Sequence, residues 1–307
     1  MTFVNVKQWI QCAERRLESA QLHYGHGTDN AHDEAAWLVL HAVGAVPDGT
    51  FQGWDMELTR AQEERVQAQL NARIESRQPL AYILGTAWFA GLEFEVSPAV
   101  LVPRSPIAEL VREQFLPWID APAARTALDL CTGSGCIAIA MAVHMPWLSV
   151  DASDISRAAL AVARRNIRKH GVESRVRLVA SDLFAGLAGK TYDLIVTNPP
   201  YVSPSTLENL PREYREEPEI GLLSGIDGLD ACLQIMLQSP HYLNAEGILV
   251  CEVGESGERL AQWLPSIPFV WLEFSDGGTG VFVLSRQELI RSSAAIRSVI
   301  EERTDVR

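Results

Sequence analysis

Four consecutive residues, Asn198-Pro199-Pro200-Tyr201, carry side chains and carbonyls suited to holding a small planar group. They follow Tyr192 to Thr197, a run typical of a buried strand. The two prolines stiffen the backbone and remove two N–H donors, so carbonyl oxygens remain available as acceptors. Asn198 adds a side-chain acceptor and Tyr201 a flat face. The arrangement suits a group that carries an NH2, such as an amide or the exocyclic amine of a base; the alternative is a strand ending in a rigid turn.

A glycine-rich segment, residues 129–136, is the second candidate for chemistry, and we call it the glycine loop. It follows an apolar run and precedes a helical pattern, which is the order of a cofactor-binding loop. Its two glycines, Gly133 and Gly135, let the backbone approach a ligand closely and adopt positive φ. The cofactor-binding residues predicted here are Asp129, Cys131, Thr132, Gly133, Ser134 and Gly135.

Two acidic residues follow the next two predicted strands. Asp154 lies near the end of the strand Leu148 to Ser153, where a carboxylate can accept both hydroxyls of a ribose. Asp182 follows the strand Val176 to Ala180 and could accept from an adenine amine. We therefore expect Asp154, Asp182 and the adjoining Leu183 to bind the cofactor, together with Asn198.

The glycine loop taken alone is ambiguous. Gly133-x-Gly135-x-x-Ala138 with an acid about twenty residues further on also fits the dinucleotide fingerprint of a dehydrogenase. A nicotinamide-dependent oxidoreductase has no obvious use for Asn-Pro-Pro-Tyr after the fourth strand. A methyltransferase that uses S-adenosylmethionine does, because the methyl donor lies across the carboxyl ends of strands one to four. The combination of the two motifs therefore favours a methyltransferase.

With both motifs placed, the chain resembles the glutamine amide-nitrogen methyltransferases that modify proteins of the translation machinery. One bacterial branch acts on peptide-release factors and the other on large-subunit ribosomal protein L-three. Residues 100–109 carry Ser105-Pro106 where the release-factor branch has Pro and two acids, and so resemble the ribosomal-protein branch. Residues 210–215 and 217–230 resemble the same branch, whereas Pro79 to Gly85 looks as much like the release-factor branch.

The resemblance implies an α/β fold of the class I S-adenosylmethionine-dependent type, with a Rossmann-like seven-stranded sheet. It implies an N-terminal helical substrate-recognition domain at residues 1–85, a β-hairpin linker at 86–104 and a methyltransferase domain at 105–307. The implied cofactor is S-adenosylmethionine and the implied substrate a glutamine of ribosomal protein L-three, with Asn198, Pro199, Pro200 and Tyr201 as catalytic residues. The alternatives are a release-factor enzyme, an adenine-amine methyltransferase acting on nucleic acid, and a binding module without turnover.

Charge and composition limit the classes of partner that the protein is expected to bind. The chain has 307 residues, which suggests about two domains, and 39 acids against 26 Lys plus Arg, a net charge of −13. This balance disfavours a nucleic-acid substrate and suits a basic protein. A basic group of side chains is expected on the solvated face of one helix: Arg157, Arg164, Arg165, Arg168 and Lys169.

The sequence shows no recognisable targeting or metal-site pattern, and we base the expected location and metal content on this. No signal-peptide pattern or membrane-span run occurs, so we expect a cytoplasmic protein. The five cysteines lack Cys-x-x-Cys spacing, which indicates reduced thiols. His23, His26 and His32 lack the companions and spacing of a recognisable metal site, so no metal is predicted.

The spacing of apolar residues along the chain predicts the helices and strands that must position these residues. Three helices are expected first: one with a stripe from Val6 to Leu17, one from an Asp29 or Asn30 cap to Gly44, and one opened by the capping box Thr59-x-x-Gln62. A hairpin is expected over Trp88 to Val96. From Ser105 strands and helices alternate, which predicts a parallel sheet. The later expected segments are the strands 247–252, 269–274 and 281–285, the last antiparallel, and a frayed tail from Gln287.

Overall fold

The computed structural model describes residues 5–47, 49–120 and 122–305. The chain begins with four helices, and the first three start at side-chain caps. Asn30 accepts from the Asp33 backbone N–H at 2.9 Å, and Thr59 and Gln62 form the predicted capping box. The predicted stripe of the first helix is buried from Val6 to Leu17. The helices are α1 (Val6–Ser19), α2 (Ala31–Val43), α3 (Arg60–Ser76) and α4 (Leu80–Leu84).

A β-hairpin connects these helices to the rest of the molecule. Strands β1 (Thr86–Phe89) and β2 (Leu92–Glu95) are antiparallel, with Trp88 opposite Glu93. The hairpin is the one predicted, shifted by a residue or two. The division of the chain into domains at residues 85 and 104 stays a prediction.

A mostly parallel sheet forms the larger part of the molecule. Seven strands of the described chain lie in the order β5-β4-β3-β6-β7-β9-β8, and β9 is antiparallel to both of its neighbours. This is the predicted Rossmann-like sheet with its reversed final strand. The strands are β3 (Thr126–Leu130), β4 (Ser149–Asp154), β5 (Val176–Ala180), β6 (Tyr192–Thr197), β7 (Leu243–Glu252), β8 (Val270–Trp271) and β9 (Val281–Ser285).

Helices cover both faces of this sheet, so its central strands are buried on both sides. In β7, Ile248 and Val250 pack into the core on one face, while Leu249 and Cys251 pack into the core on the other. Burial on both faces explains why these strands read as continuous apolar runs. The helices are α5 (Ile107–Arg112), α6 (Cys136–His144), α7 (Arg157–Lys169), α8 (Pro204–Asn209), α9 (Asp230–Gln238), α10 (Gly257–Trp263) and α11 (Arg286–Asp305).

The order of the strands locates the crevice of the fold. Chain order runs outward from β3 in one direction to β4 and β5, and in the other to β6 and β7. In open sheets of this kind ligands bind beyond the carboxyl ends of the strands at this reversal. The glycine loop and Asn198 follow β3 and β6, so the fold brings both predicted motifs to one place.

The prediction of a frayed tail from Gln287 is wrong. The segment is helix α11, in which Leu289 and Ile296 are fully buried. Ser285 and Glu288 form the side-chain and backbone bonds of a capping box, a Ser-x-x-Glu signal that was available in the sequence. The strand expected over Phe269 to Phe274 is shorter, Val270–Trp271, and one further backbone bond runs from the Leu272 N–H to the Val281 carbonyl at 2.9 Å.

The basic side chains of α7 lie on its exposed face, as predicted, and two of them pair with the hairpin. Arg165 binds Glu95 at 2.8 Å and Lys169 binds Glu93 at 2.5 Å. Within the residues described, no helix is both long and apolar enough to cross a membrane.

Candidate active site

A cavity of about 1020 Å³ opens at the carboxyl ends of the parallel strands. It brings together residues from both predicted motifs and from both acidic positions. Of the predicted site residues, those that line it are Cys131, Thr132, Gly133, Ser134, Asp154, Asp182, Leu183, Asn198, Pro200 and Tyr201. Asp129, Gly135 and Pro199 lie outside its lining.

The two glycines of the glycine loop meet different needs. Gly133 has φ +55°, lines the cavity, and a Cβ built on it would point into open space. Gly135 has φ +81°, and its Cβ would lie 3.1 Å from the Ala163 Cβ of α7. Gly133 therefore leaves room for a ligand, whereas Gly135 lets two helices approach each other.

Asp129, the first residue of the glycine loop and still part of β3, organises the turn that follows it. It is fully buried and accepts the Thr132 hydroxyl at 2.5 Å and the Ala138 backbone N–H at 3.0 Å. Burial raises the pKa of Asp129 to about 7. Within the structure described, its Oδ1 atom has no hydrogen-bond partner. These bonds join the end of β3 to the start of α6 and so give the loop its shape.

Asp154 ends β4 at the wall of the cavity, half-buried. Its two carboxylate oxygens accept the backbone N–H groups of Gly133 at 2.9 Å and of Ser156 at 2.8 Å. Burial raises the pKa of Asp154, and these bonds oppose that rise. The neighbouring Ile155 lines the cavity with 54% of its surface exposed, and Asp182 is exposed beyond it. An apolar surface between two carboxylates fits an adenosine, whose ring needs packing and whose hydroxyls and amine need acceptors.

The segment Asn198 to Tyr201 is held by contacts at both ends. The Thr197 hydroxyl donates to the Leu130 carbonyl at 2.7 Å, and the Ser256 hydroxyl donates to the Tyr201 carbonyl at 3.0 Å. Gly254 touches the Tyr201 ring so closely that a Cβ on it would come within 2.7 Å of the ring. The segment is thus packed into one position facing the cavity.

Glu252, which sequence reasoning missed, lies at the centre of this packing. It is only 4% exposed, at the end of β7, and accepts the Tyr201 hydroxyl at 3.0 Å and the Ser105 hydroxyl at 2.5 Å. Burial raises the pKa of Glu252 and that of the Tyr201 hydroxyl beside it. An acid directly after the apolar run of a buried strand was the available signal.

An ion pair between the half-buried Arg104 and the buried Glu217 closes another side of the cavity. Arg104 binds Glu217 through two bonds of 2.7 Å, and the Val102 backbone N–H donates to the same carboxylate at 2.9 Å. This attraction lowers the pKa of Glu217 to about 2. The Arg104 guanidinium also lies 5.5 Å from the centre of the Tyr214 ring. The segment 210–217 is thereby tied to the loop that follows the hairpin.

The N-terminal helices contact the same segment through buried charges. Glu213 binds Arg77 at 2.6 Å and accepts the His23 backbone N–H at 3.0 Å. Arg73, 1% exposed, pairs with Glu34 at 2.7 Å. These bonds connect the N-terminal helices to segment 210–217, of which Leu210 and Tyr214 line the cavity.

Two of the three N-terminal histidines lie beside Tyr214, with ring centres 5.5 Å away for His23 and 4.5 Å away for His26. His26 is buried with its Nε2 3.5 Å from Glu217, and burial lowers its pKa. His32 is on the surface beside Glu14, 3.1 Å away. The described ranges contain no group of His, Cys, Asp and Glu side chains that could hold a metal ion.

Comparison with known proteins identifies the family to which the chain belongs. Residues 112–210 match the family described as methyltransferase small domain, and residues 8–85 match the PrmC N-terminal domain. A ribosomal protein uL3 glutamine methyltransferase of Xanthomonas campestris is 49% identical over 96% of this chain and 95% of its own. One of Neisseria meningitidis serogroup B is 46% identical over 93% and 94%.

A solved structure is also similar, at greater distance. A methyltransferase from Pyrococcus furiosus has a TM-score of 0.47 and 20% identity, covering 72% of this chain and 97% of its own. The relatives that match nearly the full length, at 49% and 46% identity, show the family. The chain belongs to the family of ribosomal protein uL3 glutamine methyltransferases.

Proposed function

We propose that this protein transfers a methyl group from S-adenosylmethionine to the side-chain amide nitrogen of a glutamine in ribosomal protein uL3. The observation that carries the proposal is the juxtaposition of Asn198 and Asp154 in one cavity. Asn198 would bind the amide of the substrate and Asp154 the ribose of the cofactor, so one cavity would hold both reactants of the methyl transfer. The names of the near-full-length relatives support the same substrate.

The cofactor is assigned to the half of the cavity formed by β3, β4 and β5. Asp154 would accept the ribose hydroxyls, Ile155 would pack on the adenine, and Asp182 with Leu183 would border its amine. The glycine loop would hold the amino-acid end against its backbone, with Gly133 leaving the room required. Bound there, S-adenosylmethionine supplies an electrophilic methyl group.

The substrate amide is assigned to the segment after β6. A glutamine amide nitrogen is a weak nucleophile because its lone pair is delocalised into the carbonyl. Asn198 Oδ1 and the Pro199 carbonyl would accept its two N–H groups and aim the nitrogen at the methyl group. These acceptors also favour the positive charge that develops on the nitrogen as the new bond forms. Tyr201 would pack on the amide plane. As the N–C bond forms, the bond between the methyl group and the cofactor sulfur breaks, and the surplus proton on the amide would pass to water.

Charge supports a basic protein substrate. With a net charge of −13, the enzyme attracts a ribosomal protein and repels nucleic-acid phosphates. Acidic side chains at the cavity lining, Glu255 and Glu258 among them, are exposed where such a substrate would approach. Association should therefore slow as salt is raised.

The test compares Asn198→Ala with Asn209→Ala, an exposed asparagine on α8 outside the cavity lining. Purified uL3 and labelled cofactor are used, with mass spectrometry to locate the methyl group. Asn198→Ala should lower kcat by about 100- to 1000-fold and leave cofactor affinity within a few-fold, while Asn209→Ala behaves as wild type. Wild-type turnover by Asn198→Ala with saturating substrate would refute the assignment.

The choice of substrate is tested by parallel assays on uL3, a release factor and nucleic acid. Segment 104–106 lines the cavity, with Arg104 paired to Glu217, so the part of the chain that differs from the release-factor branch borders the substrate. We expect faster turnover on uL3. Faster turnover on a release factor would refute uL3 as the preferred substrate but leave glutamine methylation as the reaction. Label on nucleic acid would refute both the substrate and the reaction.

A further inference from the structure

One wall of the cavity is apolar, and no step of the proposed transfer uses it. It is formed by residues 218–223, and we call this segment the apolar wall. The residues of this segment that line the cavity are Pro218, Ile220, Gly221, Leu222 and Leu223. Ile220 is the most open of them, with 56% of its surface exposed. The cofactor is assigned to residues of β3, β4 and β5 and the loops after them, so the apolar wall is free to contact the protein substrate.

Backbone bonds hold the apolar wall beside the segment that is proposed to bind the substrate amide. The Val202 N–H donates to the Leu222 carbonyl at 2.7 Å, and the Ser224 N–H donates to the Val202 carbonyl at 3.1 Å. Val202 directly follows Tyr201, the last residue of the proposed amide-binding segment. A protein chain whose glutamine reaches Asn198 therefore comes close to the apolar wall.

Ile220 is exposed although the chain on both sides of it is anchored. On one side, Glu217 forms its two bonds to Arg104. On the other side, a Cβ built on Gly221 would lie 3.0 Å from the Leu101 side chain, so the backbone packs directly on that residue. Because the backbone is already fixed, covering Ile220 with a ligand would cost little further conformational entropy. An anchored apolar side chain at the mouth of a cavity is suited to recognising an apolar side chain of the ligand.

The charge at the same cavity indicates what kind of chain would cover the apolar wall. Glu255 and Glu258 line the cavity and are exposed, and within the described ranges neither forms an ion pair. Arg259 also lines the cavity, and its guanidinium donates to the Asp227 carbonyl at 2.9 Å. Two unpaired carboxylates on an enzyme with a net charge of −13 favour a ligand that carries positive charge. A segment of a basic protein offers both positive charge and an apolar side chain.

We infer that the apolar wall, through Ile220, binds an apolar side chain of uL3 close in sequence to the methylated glutamine, and that basic side chains of the same segment face Glu255 and Glu258. This inference rests on the proposed function and adds the kind of sequence that the enzyme requires around its glutamine. The contact involves no reacting atom, so it is equally strong in the bound substrate and in the transition state. Ile220 should therefore set KM and leave kcat unchanged.

The test compares Ile220→Ala with Ile226→Ala, an isoleucine that is 67% exposed and lies outside the cavity lining. Kinetics are measured with purified uL3 and labelled S-adenosylmethionine. Calorimetry with S-adenosylhomocysteine present gives the Kd of uL3 without turnover. Ile220→Ala should raise the KM and Kd of uL3 about tenfold, because it removes most of the apolar surface that the ligand covers. Its kcat and cofactor affinity should stay within about twofold, and Ile226→Ala should behave as wild type.

Substitutions in uL3 identify the residue that covers the apolar wall. Each apolar residue near the methylated glutamine is replaced by Ala, and KM is measured with wild-type enzyme and with Ile220→Ala. One of these changes should raise KM about tenfold with wild-type enzyme and add little with Ile220→Ala, because the two side chains share one contact. Purely additive effects at every position would overturn the inference.

The contribution of charge is tested by the double variant Glu255→Gln/Glu258→Gln. Its control is Glu246→Gln/Glu301→Gln, which changes the net charge equally at two exposed sites outside the cavity lining. The first variant should raise the KM of uL3 about tenfold at low salt, and the control should change it less than about twofold. Equal effects of the two double variants would overturn the local role of Glu255 and Glu258.

The remaining outcomes separate this inference from the proposed function. If wild-type enzyme methylates uL3 and Ile220→Ala keeps the wild-type KM and Kd, the inference is wrong and the proposed function stands. If wild-type enzyme leaves uL3 unmethylated, the proposed function is wrong, and the Kd values still decide whether uL3 covers the apolar wall. A wild-type dimer that Ile220→Ala converts to a monomer would identify a second copy as the occupant and would overturn the inference.

Discussion

Replacing Glu217 by Gln should destabilise the protein in a way that depends on pH. Glu217 is 3% exposed and holds Arg104 through two bonds of 2.7 Å as well as the Val102 N–H at 2.9 Å. Glutamine keeps the shape and loses the charge. Because glutamine is neutral, Arg104 loses its counter-charge. One of its two bonds is also lost, since the glutamine NH2 can only donate. The loop carrying Ser105 is thereby freed from segment 210–217.

The magnitude follows from the pKa of this carboxylate. Arg104 and His26 lower the pKa of Glu217 from an ordinary 4.5 to about 2 in the folded state. At about 1.4 kcal/mol for each pH unit, the ionised carboxylate stabilises the fold by about 3 kcal/mol at neutral pH. A depressed pKa contributes stability above pH 4.5 that is lost as pH falls towards 2. Breaking a buried ion pair from one side costs a similar amount, about 3–5 kcal/mol.

Urea unfolding of wild type and Glu217→Gln at pH 7 and pH 3 measures this difference. We expect a difference in the free energy of unfolding of about 3 kcal/mol at pH 7 that falls to about 1 kcal/mol at pH 3. Glu219→Gln, the same change at an exposed site two residues on, should show neither effect. A difference below about 1 kcal/mol at pH 7, or one that stays constant to pH 3, would refute the reasoning.

Three further changes test other parts of the structure. Asp154→Ala should weaken S-adenosylmethionine binding by about 2–3 kcal/mol, measured by calorimetry, and unchanged affinity would mean that Asp154 does not bind the ribose. Gly254→Ala should lower kcat at least about tenfold by displacing the Tyr201 ring. Gly189→Ala, also at positive φ but with nothing near its Cβ, should keep wild-type kcat, and equal effects would contradict the contact. Ending the chain at Ser285 should prevent folding, because it removes two fully buried apolar side chains of α11. Each of them contributes about 2–5 kcal/mol to the free energy of unfolding. A soluble product with a wild-type Tm would disprove this.

Much of the fold was predictable because its signals are local. The caps at Asn30 and Thr59 satisfy backbone N–H groups within the next three residues, so the pattern lies within a few positions of the sequence. The buried strands are readable as apolar runs because both faces of the sheet are covered. The tail was misread because α11 is mostly polar, and Leu289 and Ile296, seven residues apart, form only a thin buried stripe.

The sequence also predicted which residues could contact ligands, but it did not predict the structural role of each one. The glycine loop and Asn198 come directly after strands of one sheet, so their convergence follows from chain order. Glycine itself gives no indication of what surrounds it. Only the packing of α6 on α7 assigns Gly135 to helix contact, and Gly133 to the cavity.

The sequence by itself determined the sheet, the crevice and the two motifs beside it. Tertiary structure alone decided what holds those motifs in place. Ser105 meets Glu252 across 147 positions and Arg104 meets Glu217 across 113, and no periodicity links residues so far apart. A polar residue beside an apolar run can equally be solvated or buried. Which of the two it becomes depends on whether a distant chain segment supplies the matching donor or charge, and folding alone brings that segment there.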